Sequence, residues 1–219
     1  MEYYFMAESI LSRVVRRVQQ AEAEWRGGLT HAIYAFPPSA LMTPAAAELW
    51  VGTAEIQSDA PYSNFAGQYR IHMPIKGAGI HLQFEQPRAS QTLSAFQQIS
   101  FDGGRPLYVS LLDGAVSAFN LIAQRHVSSS LIALELDEES YAWDRLGFEA
   151  LPPNLHRVQV LYVCQGQLGL RAAGKSDLVL HEGDAFVLEY GPNASGLHLP
   201  WRLSAYDQRA QIVLASLGW

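Results

Sequence analysis

Short strand-like runs separated by Gly, Pro, Asp or Ser recur along this chain, and the series then starts again. Runs at 49–57, 69–75, 79–85, 92–99, 107–112 and 118–124 come first. After H-V-S-S-S at 126–130 follow I-A-L-E-L, R-V-Q-V-L-Y-V-C, L-G-L-R-A, D-L-V-L, A-F-V-L-E-Y, W-R-L-S-A-Y and Q-I-V-L-A-S-L. Many short strands with frequent turns point to a sandwich or barrel. M-P-I-K-G-A-G-I-H-L and Y-V-C-Q-G-Q-L-G-L share one grammar of strand, glycine turn and strand, so two related units are expected. The segment 125–130 has no apolar pattern and three consecutive serines, which sets the expected units at 1–128 and 129–219.

The N-terminal stretch is less regular. Met6, Ile10, Leu11, Val14, Val15 and Val18 fall near helical spacing, whereas R-V-V-R-R-V also reads as a strand; over 5–24 helix is the first expectation and strand the second. Q-A-E-A-E has good helix formers and predicts a single turn before Trp25. In W-R-G-G-L-T at 25–30 the glycines permit a tight turn, or free amides facing a ligand. A short strand is expected from Ala32 towards Pro38, and a loop or short helix over 39–47.

Composition narrows the class. At 219 residues, 49% hydrophobic and 16% charged, the chain is a compact globular protein of one large or two small domains. A net charge of -6 repels phosphate backbones, and the one basic cluster, Arg13, Arg16 and Arg17, has no interleaved aromatics, so no nucleic-acid partner is expected. No apolar run reaches membrane-spanning length and the start lacks a signal-peptide pattern, so a soluble cytoplasmic protein is expected, with no membrane partner. Cys164 has no second cysteine to pair with and sits in an apolar run, as a small buried side chain would.

The stretch Pro61 to Gly79 carries the candidate chemistry. Alternation puts Arg70, His72 and Lys76 on one side of a strand and Tyr69, Ile71, Met73 and Ile75 on the other. A polar stripe inside a small barrel would line a ligand site, and an ordinary solvated face reads equally well.

W-R-G-G-L-T at 25–30, Y-S-N-F-A-G-Q-Y-R at 62–70, F-D-G-G at 101–104 and L-L-D-G-A-V-S-A-F-N-L-I at 111–122 occur in the order of motifs of the HutD/Ves family, which this chain resembles as a divergent member. It lacks the asparagine and one glycine of the first family motif, Arg26 replaces a lysine, and Ala118 stands where the family has an aspartate. The resemblance implies an all-β fold of two cupin-like barrels (a bicupin) with few short helices. It also implies a regulatory role in histidine utilisation or a stress response, through binding a metabolite such as urocanate or formylglutamate.

Metal-dependent cupins place His-x-His, a carboxylate and a glycine in order; with Gly77 as that glycine, Asn64, Ala66 and Arg70 occupy the ligand positions. Arginine offers donors and no lone pair. The histidines at 31, 72, 81, 126, 156, 181 and 198 show no ligand spacing, so no metal and no cofactor are expected. No nucleophile elbow or phosphate loop is present, and no catalytic residue is assigned.

What remains is recognition of a small carboxylate by Arg70 and Asn120, with His72 on the same strand face. The Gly27 and Gly28 amides and Thr30 would sit at the rim, and Trp25 and Phe65 would form walls. The structural alternatives are an ion pair of Arg70 with Glu55 or Asp113, a backbone bond for Asn120, and a core role for Trp25 and Phe65. The expected function is therefore non-catalytic binding of a small carboxylate. The alternative is a cupin-type enzyme on a small carboxylate or sugar-like substrate, and a homodimer is compatible with either.

Overall fold

The computed structural model describes residues 10–85, 87–148, 151–152, 154–172, 176–192, 194, 201–206 and 208–219, and the backbone of residues 2–7. His198 lies outside the described residues. The strands in chain order are β1 (Glu2–Ala7), β2 (Ile10–Val15), β3 (Ala21–Trp25), β4 (Gly28–Phe36), β5 (Leu49–Ile56), β6 (Ala60–Pro61), β7 (Gln68–Lys76), β8 (Ile80–Phe84), β9 (Ala89–Leu93) and β10 (Ile99–Asp102). They continue with β11 (Leu107–Leu111), β12 (Val116–Gln124), β13 (Ser128–Leu136), β14 (Tyr141–Ala142), β15 (Arg157–Gln165), β16 (Gln167–Arg171), β17 (Leu178–His181), β18 (Ala185–Tyr190), β19 (Arg202–Ala205) and β20 (Ala210–Gly218). The helical turns among the described residues are all short 3-10 turns, and no helix there is long and apolar enough to cross a membrane. The all-β expectation holds.

The chain forms two compact units, one of residues 20–127 and one of residues 1–19 with 128–219. The first has a six-stranded antiparallel sheet in the order β10-β7-β12-β5-β4-β3 and a four-stranded sheet β6-β11-β8-β9. The second has a six-stranded sheet β1-β2-β18-β15-β20-β13 and a four-stranded sheet β14-β19-β16-β17. The core of the second is aromatic at its centre, with Phe186 meeting Trp201 and Trp143 edge-on at centroid separations of 5.0 and 5.5 Å.

The glycine turn that sequence comparison pairs between the two series does the same job in both units. Gly77 has φ +102° and Gly166 φ +83°, conformations that favour glycine. A Cβ on Gly77 would lie 2.6 Å from the Ala115 carbonyl oxygen, and one on Gly166 2.6 Å from that of Arg209. Each turn passes hard against the residue that precedes the next long strand, β12 or β20.

Several expectations are corrected. The first 19 residues do not belong with the following hundred: β2 pairs in register with β18, from Ala185↔Val15 to Tyr190↔Ile10. Nor do their described residues form the expected helix, beyond a single 3-10 turn at Arg17–Gln19. A helical stripe would bury Leu11 and Val18, which are 38% and 93% exposed, while Ile10, Ser12 and Val14 are buried at period two. Residues 8 and 9 of that expected helix lie outside the described residues. Q-A-E-A-E contributes to edge strand β3, with Glu22 and Glu24 outward, because its ladder with β4 outweighs helix propensity.

The run 92–99 splits into β9 on the four-stranded sheet and β10 on the six-stranded one, so the chain changes sheets between them. Phe96, at φ 63°, donates its backbone N–H to Pro74 there. Ser128 to Ser130, read as a break, begin β13 and pair with Gly218 to Ser216. Lys76 does not continue the interior stripe: a register irregularity between Ser117 and Ala118 precedes it, and its side chain is exposed.

The N-terminal segment is fastened by Asp184, which is 5% exposed. Its carboxylate accepts from Arg17 N at 2.9 Å, Arg16 Nη1 at 2.8 Å and His181 N at 3.0 Å. Asp184→Ala leaves two amides without their acceptor and is expected to cost about 3 kcal/mol in urea unfolding. A loss within a few tenths of wild type would show that strand pairing alone holds the segment.

Candidate functional site

Strand β7 carries Arg70 and His72 two residues apart, hence on one face, and antiparallel β12 sets Asn120 directly opposite His72. All three are buried, at 7%, 0% and 2% exposure. The Asn120 side-chain oxygen accepts from Arg70 Nε at 3.0 Å, Arg70 Nη2 at 2.7 Å and His72 Nδ1 at 2.7 Å. Asn120 Nδ2 donates to the Ala118 carbonyl at 3.3 Å.

This arrangement sets the imidazole tautomer. An oxygen acceptor requires the proton on Nδ1, leaving Nε2 bare, and the Tyr62 hydroxyl donates to it at 3.2 Å. Tyr62 in turn lays its ring 4.3 Å from Arg70 Cζ, and Phe65 and Phe101 each stand 5.9 Å away. Burial, then the charge of Arg70, lower the His72 pKa to about 3 against the opposing Asn120 hydrogen bond, so His72 is neutral. Burial also lowers Arg70 and raises Tyr62, each shift opposed by the other group's charge.

Arg70 borders a small cavity that opens to solvent. Trp25, Trp50, Tyr62 and Phe65 form its aromatic walls and Pro44, Ala54 and Ile122 its aliphatic ones. Asn120, Thr30 and Ser63 are the other polar members, and among the described residues no Asp or Glu lines it. Neither expected ion-pair partner reaches Arg70: Glu55 lies 3.3 Å from His31 Nε2, and Asp113 is exposed. Among the described residues no carboxylate pairs with Arg70 at all.

The side-on fork of the guanidinium, Nε with Nη2, is filled by Asn120. Nη1 and the second proton of Nη2 are left at the guanidinium end, the geometry that grips a carboxylate end-on.

Of the sequence-predicted residues, Arg70, Asn120, Thr30, Trp25 and Phe65 come together at the cavity. His72 lies behind it, fully buried, as a support for Asn120 and Tyr62. Thr30 spends its proton on the Ala23 carbonyl at 3.1 Å. Gly27 and Gly28 do not line the cavity. Gly27 leaves room for the Trp25 ring, 2.4 Å from where a Cβ would sit, and Gly28 for the Glu55 carbonyl at 2.0 Å.

Sequence reasoning missed Tyr62 and Trp50. Tyr62 stands in a loop, where periodicity carries no orientation, although it falls inside the Pro61 to Gly79 stretch. Trp50 is anchored through Nε1 to the Leu41 carbonyl at 3.0 Å.

The second unit does not repeat the constellation. Gln159 stands as far before Gly166 as Arg70 stands before Gly77, and it pairs with Ser216 where Arg70 pairs with Ile122. At the matching places Leu161 and Leu214 replace His72 and Asn120. Gln159 instead accepts from Trp143 Nε1 at 2.8 Å and the Tyr190 hydroxyl at 2.6 Å.

The cavity's side chains do not suit a metal ion: a guanidinium, indoles, a phenol and an amide oxygen already holding three donors leave no set of free ligands. Asn64 and Ala66, at the positions of cupin metal ligands, are exposed, and Asn64 Nδ2 donates to the Gly104 carbonyl at 3.2 Å. The Cys164 thiol, in the other unit, is pushed up by burial and then by Glu182, which keeps it protonated.

The HutD family model matches residues 17–205. The chain belongs to the HutD family. Similar solved structures include a conserved protein of unknown function from Pseudomonas aeruginosa PAO1, 22% identical with a TM-score of 0.72, covering 94% of this chain and 98% of that one. HutD from Pseudomonas fluorescens SBW25, in a formate condition, is 21% identical with a TM-score of 0.65 over 93% of this chain and 97% of its own. A cupin 2 conserved barrel domain protein from Leptotrichia buccalis is 11% identical with a TM-score of 0.52, covering 93% and 95%. These likenesses make the HutD-family chain cupin-like in fold. No curated protein matches it.

The lowered His72 pKa has a stability consequence. An unfolded chain takes up a proton near 6.5, but the folded one does so only near 3, so this group's stabilisation is complete above 6.5 and declines as pH falls between those values. The slope is up to about 1.4 kcal/mol per pH unit. Urea unfolding of wild type and His72→Gln across this window should show a flatter pH dependence in the variant, by about one proton; parallel curves would contradict the neutral, locked imidazole.

Proposed function

We propose that this HutD-family protein is a non-catalytic cytoplasmic binder of a small carboxylate metabolite, acting in the regulation of histidine utilisation. The observation that carries the reading is Arg70: a buried guanidinium on a cavity wall whose partners among the described residues are a neutral amide oxygen and aromatic rings. A buried charge without a counter-charge is costly, and an anion in the cavity would supply it. The apolar walls strengthen the attraction by excluding water. A binding role is favoured over catalysis because the titratable groups next to Arg70 are committed to one another: His72, behind the cavity, uses both nitrogens, and the Tyr62 hydroxyl serves His72. The histidine-utilisation role rests on family membership.

The test is a thermal-shift screen of small carboxylates followed by calorimetry. Arg70→Ala should weaken any hit about thirtyfold, on the order of 2 kcal/mol. Arg70→Lys should recover part of that, since a point charge lacks the planar fork. Asn120→Asp should abolish binding while keeping the fold, because an internal carboxylate in the side-on fork neutralises Arg70. Undiminished affinity in folded Arg70→Ala would sink the reading.

A further inference from the structure

The cavity has a floor built on strands and a rim built partly on loops. Trp50 and Ala54 on β5, Arg70 on β7, and Asn120 and Ile122 on β12 are buried, whereas Pro44, Ser63 and Phe65, from two loops, are partly or fully exposed. At 7% exposure for Arg70 and 2% for Asn120 and Trp50, a water-sized sphere scarcely touches this floor. A ligand much wider than water therefore reaches the guanidinium only if part of the rim moves aside.

The two loops are not held equally. Residues 62–67 are stitched to the F-D-G-G turn and the strand after it by main chain. Tyr62 N donates to the Leu107 carbonyl at 2.9 Å, Phe65 N to that of Gly103 at 2.8 Å, and Gly103 N to that of Gln68 at 2.8 Å. The Pro44 turn has no such ladder, and Met42, Thr43, Ala45 and Ala46 are exposed. Among the described residues, the hydrogen bonds that reach the segment 42–47 from outside its own local turns all come from one side chain. That side chain is Gln68, whose Nε2 donates to the Pro44 carbonyl at 3.0 Å and the Ala47 carbonyl at 2.7 Å.

Gln68 is 3% exposed and stands two residues before Arg70 on the same strand face. Its Oε1 is buried and has no hydrogen-bond partner among the described residues. The closed rim thus leaves this amide half satisfied, an arrangement that costs free energy as long as water is kept from the oxygen.

We propose that Gln68 is the positioning residue of the rim: its amide holds the Pro44 turn at the mouth of the cavity, and a ligand wider than that mouth binds by breaking these two bonds. This rests on the carboxylate reading of the same cavity. Water reaching Oε1 offsets part of the loss when the turn swings out, so the displaced state stays within reach of a bound ligand. A ligand that keeps the turn displaced carries the remaining cost in its affinity, and one small enough to pass beneath does not. Gln68 selects by width, and Arg70 by charge.

The test uses two probes of equal charge, acetate, little wider than the carboxylate itself, and benzoate, with affinities for the full chain measured by NMR titration. Gln68→Met keeps the side chain's length and removes its donors. It should tighten benzoate about tenfold and leave acetate within about twofold, a gain that damage to the site would not produce. In the wild type, saturating benzoate should speed hydrogen exchange of the Ala47 amide, which donates to Pro44, and acetate should not. If folded Gln68→Met does not tighten benzoate, or benzoate leaves Ala47 exchange unchanged, while Arg70→Ala weakens both probes, the Gln68 assignment is wrong and the carboxylate reading stands. Should Gln68→Met fail to fold, the wild-type exchange measurement decides alone. If neither probe binds, or Arg70→Ala weakens neither, both fall.

Discussion

One oxygen atom, Oδ1 of Asn120, organises the first unit's interior by accepting three protons at once. Two come from the same guanidinium and orient it; the third chooses the imidazole tautomer of His72. That choice leaves Nε2 able to accept from Tyr62, which brings a phenol ring beneath the guanidinium. A chain of neutral hydrogen bonds thus positions a cation without neutralising it. An aspartate at the same place would make a stronger pair and extinguish the charge.

The electrical imbalance is local and maintained by burial. Arg70 is 7% exposed, and the groups around it are aromatic rings and aliphatic side chains. Desolvation lowers its pKa, yet an arginine starts so high that it stays charged, whereas His72 starts near neutrality and is driven to the uncharged form. The same apolar surroundings therefore produce one fixed cation and one fixed neutral donor-acceptor from two basic residues on one strand face.

The two units show how far a shared backbone plan constrains chemistry. Both have a six-stranded and a four-stranded antiparallel sheet, and both put a glycine turn against the residue before a long strand. The ladder positions that hold arginine, histidine and asparagine in one hold glutamine and two leucines in the other. A ladder fixes where side chains project and is indifferent to what they are, so the second unit fills its interior with Phe186, Trp143 and Trp201.

By itself the sequence determined the β class, most strands, the glycine turn common to both series and the pairing of Arg70 with His72 on one face. Those features follow from alternation and turn chemistry, which act over a few residues. It also carried the family resemblance, through motifs that turn out to hold Trp25, Thr30, Phe65, Arg70 and Asn120 around one cavity. Only the tertiary structure decided that the first 19 residues join the second unit, because the strand edge they cover lies more than 160 positions away in the chain. The same held for Arg70. Its partner stands 50 residues further on, and whether it met Asn120, Glu55 or Asp113 depended on a strand register that no local pattern encodes. Tyr62 emerged only once the loop that carries it closed on the sheet, since periodicity gives a loop residue no orientation.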